Sequence, residues 1–364
     1  MKKDMDRTSA DISGAVYDVH EQHSQITAIS ACYTTNESMM KGITTMKKLF
    51  AVLATLFLMF AFAALAEESG DFGYSILENG NARIDYYDGS AKALEIPAAL
   101  DGHKVTAIGY GAISGSDVIS VTIPYGVTTI GEQAFAYCDK LKSVTIPDSV
   151  TNIGYWAFFE CNSLESIAIP GSVTSMGENP FVGCKKLKRI DVSPTNKYFT
   201  VIDGALFSKP DQCLLCYPIG LSKTEYSIPK GTRRIGESAF LYCDNLKSVT
   251  IPDSVTSIGY WAFHFCDKLE SVTIPNSVRL IEYEAFSYCP SLKSVTIPDS
   301  VTSIGFCAFY SCDSLTSITI PDSVTSIGDE AFSWCSDRLV ITVKKGSYAA
   351  DYCKANGYAY KYAK

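Results

Sequence analysis

Residues 248–270 spell SVTIPDSVTSIGYWAFHFCDKLE, and close copies of this 23-residue phrase fill most of the chain. Ile-Pro pairs mark eight close copies, and all but one of the intervals between these copies are 23 residues long. The copies begin at Ile123, Ile146, Ile169, Ile228, Ile251, Ile274, Ile297 and Ile320. A fixed period of this length is typical of a solenoid, in which each unit buries its apolar face only against its neighbours.

The residue pattern within one copy predicts how a coil is built. Around Val144 the residues alternate with the two-residue period of a short strand, so Ser143 and Thr145 should point outward. Pro147 begins a turn, because its fixed φ suits the second position of a turn. Gly154 then lets the chain pass close to the neighbouring coil, and an Ala-Phe pair and a cysteine complete the coil as a helical turn or an irregular arc. The sequence therefore predicts a β-rich repeat solenoid.

The recurring phrase L-x-x-V/I-x-I-P-x-x-V-x-x-I-G-x-x-A-F-x-x-C resembles the BspA-like, or Treponema-type, leucine-rich repeat of bacterial surface proteins. It covers roughly residues 96–343. The resemblance implies a leucine-rich-repeat-like stack of coils, secretion or surface display, and adhesion to proteins of host or neighbouring cells. It brings no catalytic residues and no cofactor.

The start of the chain predicts export. After Lys47 and Lys48 comes an uncharged stretch of 18 residues that ends in Ala-Leu-Ala, so residues 46–66 are predicted to be a signal peptide cleaved after Ala66. A retained membrane helix is the alternative, because this length is near the lower limit for crossing a bilayer. A signal peptide normally begins a protein, so we expect residues 1–45 to be a mis-assigned, disordered upstream extension.

Four further segments follow. Residues 67–122 are predicted to be an N-terminal cap with a degenerate repeat, residues 123–343 the leucine-rich repeat solenoid, and residues 344–364 a C-terminal cap. Within the solenoid, residues 193–227 break the period and predict an enlarged, irregular coil, in which Asp203-Gly204 between apolar runs indicates a hairpin turn.

The thirteen cysteines raise the question of disulfides in an exported protein. Eight of them share one slot of the repeat: Cys138, Cys161, Cys184, Cys243, Cys266, Cys289, Cys312 and Cys335. In-register side chains point in parallel, so we predict a column of buried free thiols. For the C-x-x-C of Cys213 and Cys216, a local disulfide or half a zinc site remains open, although no second such pair or His pair follows residue 66.

Composition and spacing argue against catalysis and nucleic-acid binding. The net charge of −8 without a basic stripe disfavours contact with a phosphate backbone. Beyond residue 66 the only histidines are His103, expected in a cap turn, and His264, expected in an outward slot. Neither can be paired with a nucleophile. We predict no enzyme, no cofactor, no metal site, a monomer, and membrane contact only through the signal peptide before cleavage.

Two outward columns are the candidate binding surfaces. One is a hydroxyl ladder, which β-propensity and solubility explain, with ordering of water or ice as the alternative. The other is aromatic, and its residues are Tyr137, Tyr155, Trp156, Tyr242, Tyr260, Trp261, Phe265, Tyr283, Tyr288 and Trp334. Rows of Tyr and Trp are typical of protein interfaces and of sugar-stacking surfaces. The sequence predicts a secreted or surface-associated adhesion protein; a glycan-binding module and an envelope scaffold without a specific ligand are the alternatives.

Overall fold

The computed structural model describes residues 67–363. The upstream extension, the signal peptide and its cleavage site lie outside the described residues and stay predictions. The described residues form one compact unit. Within the described range, none of the helical structure has the length and apolar character that a bilayer span requires.

The regular structure consists of short strands and one helix. The strands are β1 Glu67–Ser69, β2 Phe72–Ile76, β3 Ala82–Tyr87, β4 Ala93–Glu95, β5 Ala99–Leu100, β6 His103–Ile108, β7 Ser120–Thr122, β8 Thr129–Ile130, β9 Ser143–Thr145, β10 Asn152–Ile153, β11 Ser166–Ile169, β12 Ser175–Met176, β13 Arg189–Val192, β14 Phe199–Ile202, β15 Ala205–Ser208, β16 Cys213–Cys216, β17 Glu225–Ser227, β18 Arg234–Ile235, β19 Ser248–Thr250, β20 Ser257–Ile258, β21 Ser271–Thr273, β22 Leu280–Ile281, β23 Ser294–Thr296, β24 Ser303–Ile304, β25 Ser317–Thr319, β26 Ser326–Ile327, β27 Val340–Val343 and β28 Tyr360–Tyr362. The helix is α1, Tyr348–Asn356.

The strands form two parallel ladders that run along the stack of coils. One ladder contains the Ser-Val-Thr strands, and in it β19, β21, β23 and β25 pair in order with a register of one repeat. Val249, for example, pairs with Val272. The other ladder contains the two-residue strands, including β18, β20, β22, β24 and β26. The solenoid predicted from the repeat is confirmed.

The glycine after the second ladder sets how closely two coils approach. A Cβ added to Gly154 would lie 2.4 Å from the backbone nitrogen of Glu132, which is less than any side chain tolerates. Coil 274–296 has Glu282 in this slot, and there β20 and β22 share only the Ile258–Ile281 pair. Glycine therefore keeps the coils at strand spacing, and Glu282 marks a local departure.

A column of phenylalanine rings fills the core. The rings of Phe135 and Phe158 lie 5.2 Å apart and nearly parallel, and those of Phe240 and Phe263 lie 4.8 Å apart. All four side chains are fully buried. Identical slots therefore lie one above another in register, as the repeat predicts.

The slot cysteines form the predicted column, and their thiols have a structural role. The Cys161 Sγ donates to the Phe135 carbonyl oxygen at 3.1 Å, and the Cys289 Sγ donates to the Phe263 carbonyl oxygen at 3.0 Å. The other slot cysteines from Cys184 to Cys335, apart from Cys243, repeat this bond. Each of these thiols thus ties one coil to the next, because its acceptor belongs to the preceding coil.

The C-x-x-C cysteines do not form a common site. A register shift between β15 and β16 places Cys213 and Cys216 on the same face of β16, opposite Ser208 and Leu206, but both are free thiols. Cys216 lies beside Cys184 and Cys243, where it continues the thiol column through the enlarged coil, while Cys213 faces Glu178 and Arg234.

The enlarged coil is joined to the solenoid by two strands, of which β17 pairs parallel with β19. Strands β14 and β15 form an antiparallel hairpin around Asp203-Gly204, both with positive φ, as predicted. Strand β16 then pairs antiparallel with β15 and parallel with β18. The insertion therefore continues the second ladder.

Separate elements close the two ends of the stack. The N-terminal strands β1, β2 and β3 pair antiparallel, and β3 then pairs parallel with β6. At the other end the Ser347 side chain caps α1 and Gly357 ends it with a left-handed φ, in agreement with the sequence pattern.

Candidate partner-binding face

The segment between the glycine slot and the cysteine slot of each coil is here called the arc face. It comprises residues 131–138, 154–161, 177–184, 236–243, 259–266, 282–289, 305–312 and 328–335. Its backbone is a series of turns in which alternate residues bond to the next coil: Phe135 N–H donates to the Ala157 carbonyl and Tyr137 N–H to the Phe159 carbonyl. Within the first segment, Ala134, Phe135 and Ala136 are buried and Tyr137 is exposed.

Bulky side chains occupy left-handed positions on the arc face. The φ angles are 59° at Tyr137, 53° at Trp156 and 58° at Trp334. In coil 169–191 the slot of Tyr137 is occupied by Gly183, whose φ is 75°. A residue with a Cβ in this conformation costs about 1–2 kcal/mol. The aromatic residues therefore occupy positions at which glycine would be less strained.

All ten aromatic residues predicted to bind a partner lie on the arc face, and none is buried. Trp334 is 59% exposed and Tyr137 is 51% exposed. Several stack along the solenoid: the rings of Phe265 lie 5.3 Å from Tyr242 and 4.6 Å from Tyr288. Tyr260 and Tyr283 form a second stack at 5.5 Å. The aromatic residues thus form short stacked runs, here called ribs.

The arc faces of the two halves of the solenoid meet at a seam, the junction of coils 169–191 and 228–250. There the Asn179 Nδ2 donates to the Ser238 carbonyl at 2.6 Å. Trp156 and Trp261 lie on either side of this junction, and their ring centroids are 6.4 Å apart. Asn179 and Ser238, which hold the same slot in the two intervening coils, are buried. The seam therefore brings together predicted residues that the enlarged coil separates in sequence.

Trp156 is held on both sides by other rings. Tyr155 and Phe159 each stack on it with centroids 4.8 Å away. The Tyr155 hydroxyl donates to Glu237 across the seam. Burial, followed by the nearby Glu237 carboxylate, raises the pKa of Tyr155 well above its ordinary value. This corner of the face is rigid, because its rings and hydroxyl are fixed by packing.

The prediction that His264 points outward is wrong, because its side chain is only 7% exposed. Its Nδ1 contacts the Ser287 hydroxyl and lies 3.5 Å from Glu284 Oε2. Burial lowers the pKa of His264 to about 3. Burial also raises the pKa of Glu284 to about 7, although hydrogen bonds from Trp261 and Ser287 oppose this. The signal was present in the sequence, since most of the equivalent slots hold apolar residues such as Ala136, Phe159, Val182 and Leu241.

The predicted hydroxyl ladder forms the other exposed surface. On β19, β21, β23 and β25, no Ser or Thr hydroxyl forms a hydrogen bond within the described range. A second hydroxyl column was not predicted: the Thr151 Oγ1 donates to the Thr128 carbonyl at 3.2 Å, and the Ser149 Oγ to the Val127 carbonyl at 2.8 Å. Those hydroxyls hold adjacent coils together. Ordering of water or ice by the exposed ladder stays a prediction.

Among residues 67–363, no group of three or more His, Cys, Asp or Glu side chains is arranged to hold a metal ion. The predicted cap turn contains His103, whose Nδ1 lies 2.8 Å from the Gly80 carbonyl. Two surfaces remain as candidates: the partly exposed, aromatic arc face and the face with the hydroxyl ladder.

Solved structures of bacterial leucine-rich repeat proteins are similar to this chain. A leucine-rich cell surface protein from Faecalibacterium prausnitzii A2-165 matches with a TM-score of 0.59 and 28% identity, over 81% of this chain and 97% of that one. The pneumococcal vaccine antigen PcpA matches with a TM-score of 0.61 over 82% of this chain and 98% of its own. At 20% identity, the second likeness concerns the fold alone. Comparison with curated proteins gives no match.

The family model of the BspA type leucine-rich repeat region matches residues 106–212 and 219–338, in six copies. These ranges cover more than half of the chain and include both halves of the solenoid. The chain therefore belongs to the family of BspA-type leucine-rich repeat proteins.

Proposed function

We propose that this protein is secreted or displayed at the cell surface, where it mediates adhesion by binding a protein of a host or neighbouring cell through its arc face. It acts without catalysis. The observation that carries the proposal is the set of ten aromatic side chains gathered on one face, several in left-handed positions that favour glycine. Backbone strain retained at exposed positions is typical of functional surfaces. The description of the Faecalibacterium relative as a cell surface protein supports the location.

The ring geometry favours a protein partner over a glycan. A sugar stacks on a free ring face, but both faces of Trp156 are covered by Tyr155 and Phe159. The ribs likewise cover ring faces, as in the stack of Phe265 and Tyr288. Exposed ring edges and hydroxyls remain, and these suit a protein surface better than a pyranose ring.

An adhesion assay tests the proposal. Beads coated with residues 67–364 would be applied to epithelial and bacterial cells, and attachment counted. We expect Tyr137→Ser/Tyr283→Ser/Trp334→Ser to reduce attachment strongly. The matched control, Thr145→Ala/Thr250→Ala/Thr273→Ala on the hydroxyl ladder, should leave it unchanged.

Treating the cells before the assay separates the two kinds of partner. Trypsin should abolish attachment, and removal of surface glycans should not. Loss of attachment after glycan removal alone would favour the glycan-binding alternative. Equal attachment by the arc variant and the wild type would show that the face takes no part in adhesion.

A further inference from the structure

Charge is segregated around each coil. The eight segments of the arc face contain eight acidic residues and no Lys or Arg. The acidic residues are Glu132, Glu160, Glu178, Glu237, Glu282, Glu284, Asp329 and Glu330, of which Glu284 is buried. The whole chain carries 31 basic residues against 39 acidic ones, so chance does not account for their absence from this face.

All the basic residues lie outside the arc segments, and several on the flank that follows the cysteine slot have acidic partners. Lys140 pairs with Asp117 at 2.7 Å, and Lys293 with Glu270 at 2.6 Å. One cation reaches the arc face from outside it: Arg234, on β18, lies 3.5 Å from Glu178. Outside the arc segments the chain has 31 basic and 31 acidic residues, so its formal net charge of −8 resides in the arc segments.

The arc carboxylates lie beside the exposed aromatic rings. The Glu160 charge acts on both Tyr137 and Tyr242, and the Glu132 charge acts on Tyr110 and Tyr155. The Tyr260 hydroxyl bonds to Glu282. The face thus alternates π systems with carboxylates.

Aromatic rings and carboxylates both attract cationic side chains. A Lys ammonium or an Arg guanidinium is attracted to a Tyr or Trp ring and to a carboxylate, and Arg combines planar stacking with paired hydrogen bonds. An anionic partner would meet repulsion along the whole face. A neutral partner would use the rings but would bring no opposite charge to the carboxylates.

We infer that the arc face binds a protein segment rich in Lys and Arg, laid along the ribs from the coil of Tyr137 across the seam to the coil of Tyr283. This deepens the proposed function, on which it rests, by giving the charge of the partner. The steering charge also makes association fast and dependent on salt.

Fluorescence anisotropy with labelled peptides tests the inference. The probes are a peptide of about 15 residues that repeats Gly-Ser-Arg and a matched peptide that repeats Gly-Ser-Glu. We expect residues 67–364 to bind the Arg peptide about tenfold or more tightly than the Glu peptide. Its affinity should fall several-fold between about 50 mM and about 300 mM NaCl.

Matched variants distinguish the effect of the arc carboxylates from that of the protein's net charge. Glu132→Gln/Glu160→Gln/Glu282→Gln removes three arc carboxylates and should weaken binding of the Arg peptide about tenfold. Asp148→Asn/Asp253→Asn/Asp299→Asn removes the same charge from the exposed Pro-Asp turns, and should change it by less than about twofold. Tyr137→Leu should add a loss of about threefold, since the cation–π attraction disappears while an apolar side chain remains.

Two outcomes would overturn the inference: equal weakening by both triple variants, or equal binding of the two peptides. Failure of the proposed function looks different. If coated beads attach to cells through the arc face while the Arg and Glu peptides bind equally, adhesion stands and the cationic partner is excluded. If the Arg peptide binds as expected and no cell does, the proposed adhesion fails alone.

Discussion

Tyr137 and Gly183 occupy the same slot of the repeat, and both have a left-handed backbone, with φ of 59° and 75°. Only glycine adopts this conformation without strain. The tyrosine ring offsets part of the cost through its edge contact with Phe159, at 5.1 Å between centroids. At this position, glycine would give the more stable backbone, whereas tyrosine gives the surface an exposed ring.

Substitutions at Tyr137 should separate the cost of the backbone strain from the contribution of the ring contact. Both Tyr137→Ala and Tyr137→Gly lose the ring contact, but only glycine relieves the strain, so we expect Tyr137→Gly to be more stable than Tyr137→Ala by about 1 kcal/mol. Urea unfolding of residues 67–364 measures the difference. Tyr155, whose φ is not positive, is the control. There, Ala should be more stable than Gly, and the same order at both positions would contradict the strain argument.

The glycine slot predicts a second contrast. Gly154→Ala places a Cβ 2.4 Å from the backbone nitrogen of Glu132, so the two coils must separate. We expect a loss of about 1–3 kcal/mol in the free energy of unfolding. Glu282→Ala, in the equivalent slot that already holds a Cβ, should change it by less than about 1 kcal/mol. Similar losses in the two variants would mean that the slot does not set the coil spacing.

The end of the thiol column predicts a selective reaction. Cys335 is partly exposed, and all the other cysteines of the described residues are buried. Interaction with the neighbouring Cys312 thiol lowers the pKa of the Cys335 thiol, whereas burial raises that of Cys312. Iodoacetamide should therefore label Cys335 first in the native protein, as peptide mass spectrometry would show.

Removing the partner thiol is the control for this reaction. Cys312→Ser removes the thiol that lowers the pKa of Cys335. The variant should therefore be labelled more slowly at Cys335, because less of that thiol is ionised. Cys335→Ser should leave the native protein almost unlabelled. Early labelling of a buried cysteine such as Cys289 would show that the column opens more readily than its packing suggests.

Much of the fold could be predicted because each coil repeats the same physical pattern. Apolar slots such as that of Phe263 recur at a fixed spacing, and only an in-register stack buries them all. The hairpin at Asp203-Gly204 and the helix end at Gly357 follow from local turn chemistry in the same way.

The features that escaped prediction depend on contacts between coils. Nothing in the residue type marks Tyr137 or Trp156 as left-handed, since that φ is imposed by hydrogen bonds to the next coil. The contact of Trp156 with Trp261 depends on how the enlarged coil folds, and that segment has no repeat to follow. The environment of His264 requires knowledge of Glu284, one coil away.

The buried pair of His264 and Glu284 predicts opposite pH dependences for two variants. The folded state keeps His264 neutral, with a pKa of about 3 against 6.5, so its contribution to stability is full above 6.5 and is lost as the pH falls. The folded state keeps Glu284 protonated, with a pKa of about 7 against 4.5, so its contribution is full below 4.5 and is lost as the pH rises. Between 4.5 and 6.5 the two slopes oppose each other, because folding releases one proton from the histidine and takes one up at the glutamate.

Each variant should show the pH dependence that the remaining residue of the pair gives to the free energy of unfolding. Glu284→Gln leaves the histidine term, so its free energy of unfolding should rise between pH 4.5 and 6.5, by up to about 1.4 kcal/mol per pH unit relative to the wild type. His264→Leu, which places the residue of the equivalent Leu241 in this slot, leaves the glutamate term and should make it fall over the same window. Urea unfolding at several pH values, always as the difference from the wild type, cancels the exposed groups that titrate in all three proteins. Parallel profiles for the two variants would mean that this pair is not buried in opposite protonation states.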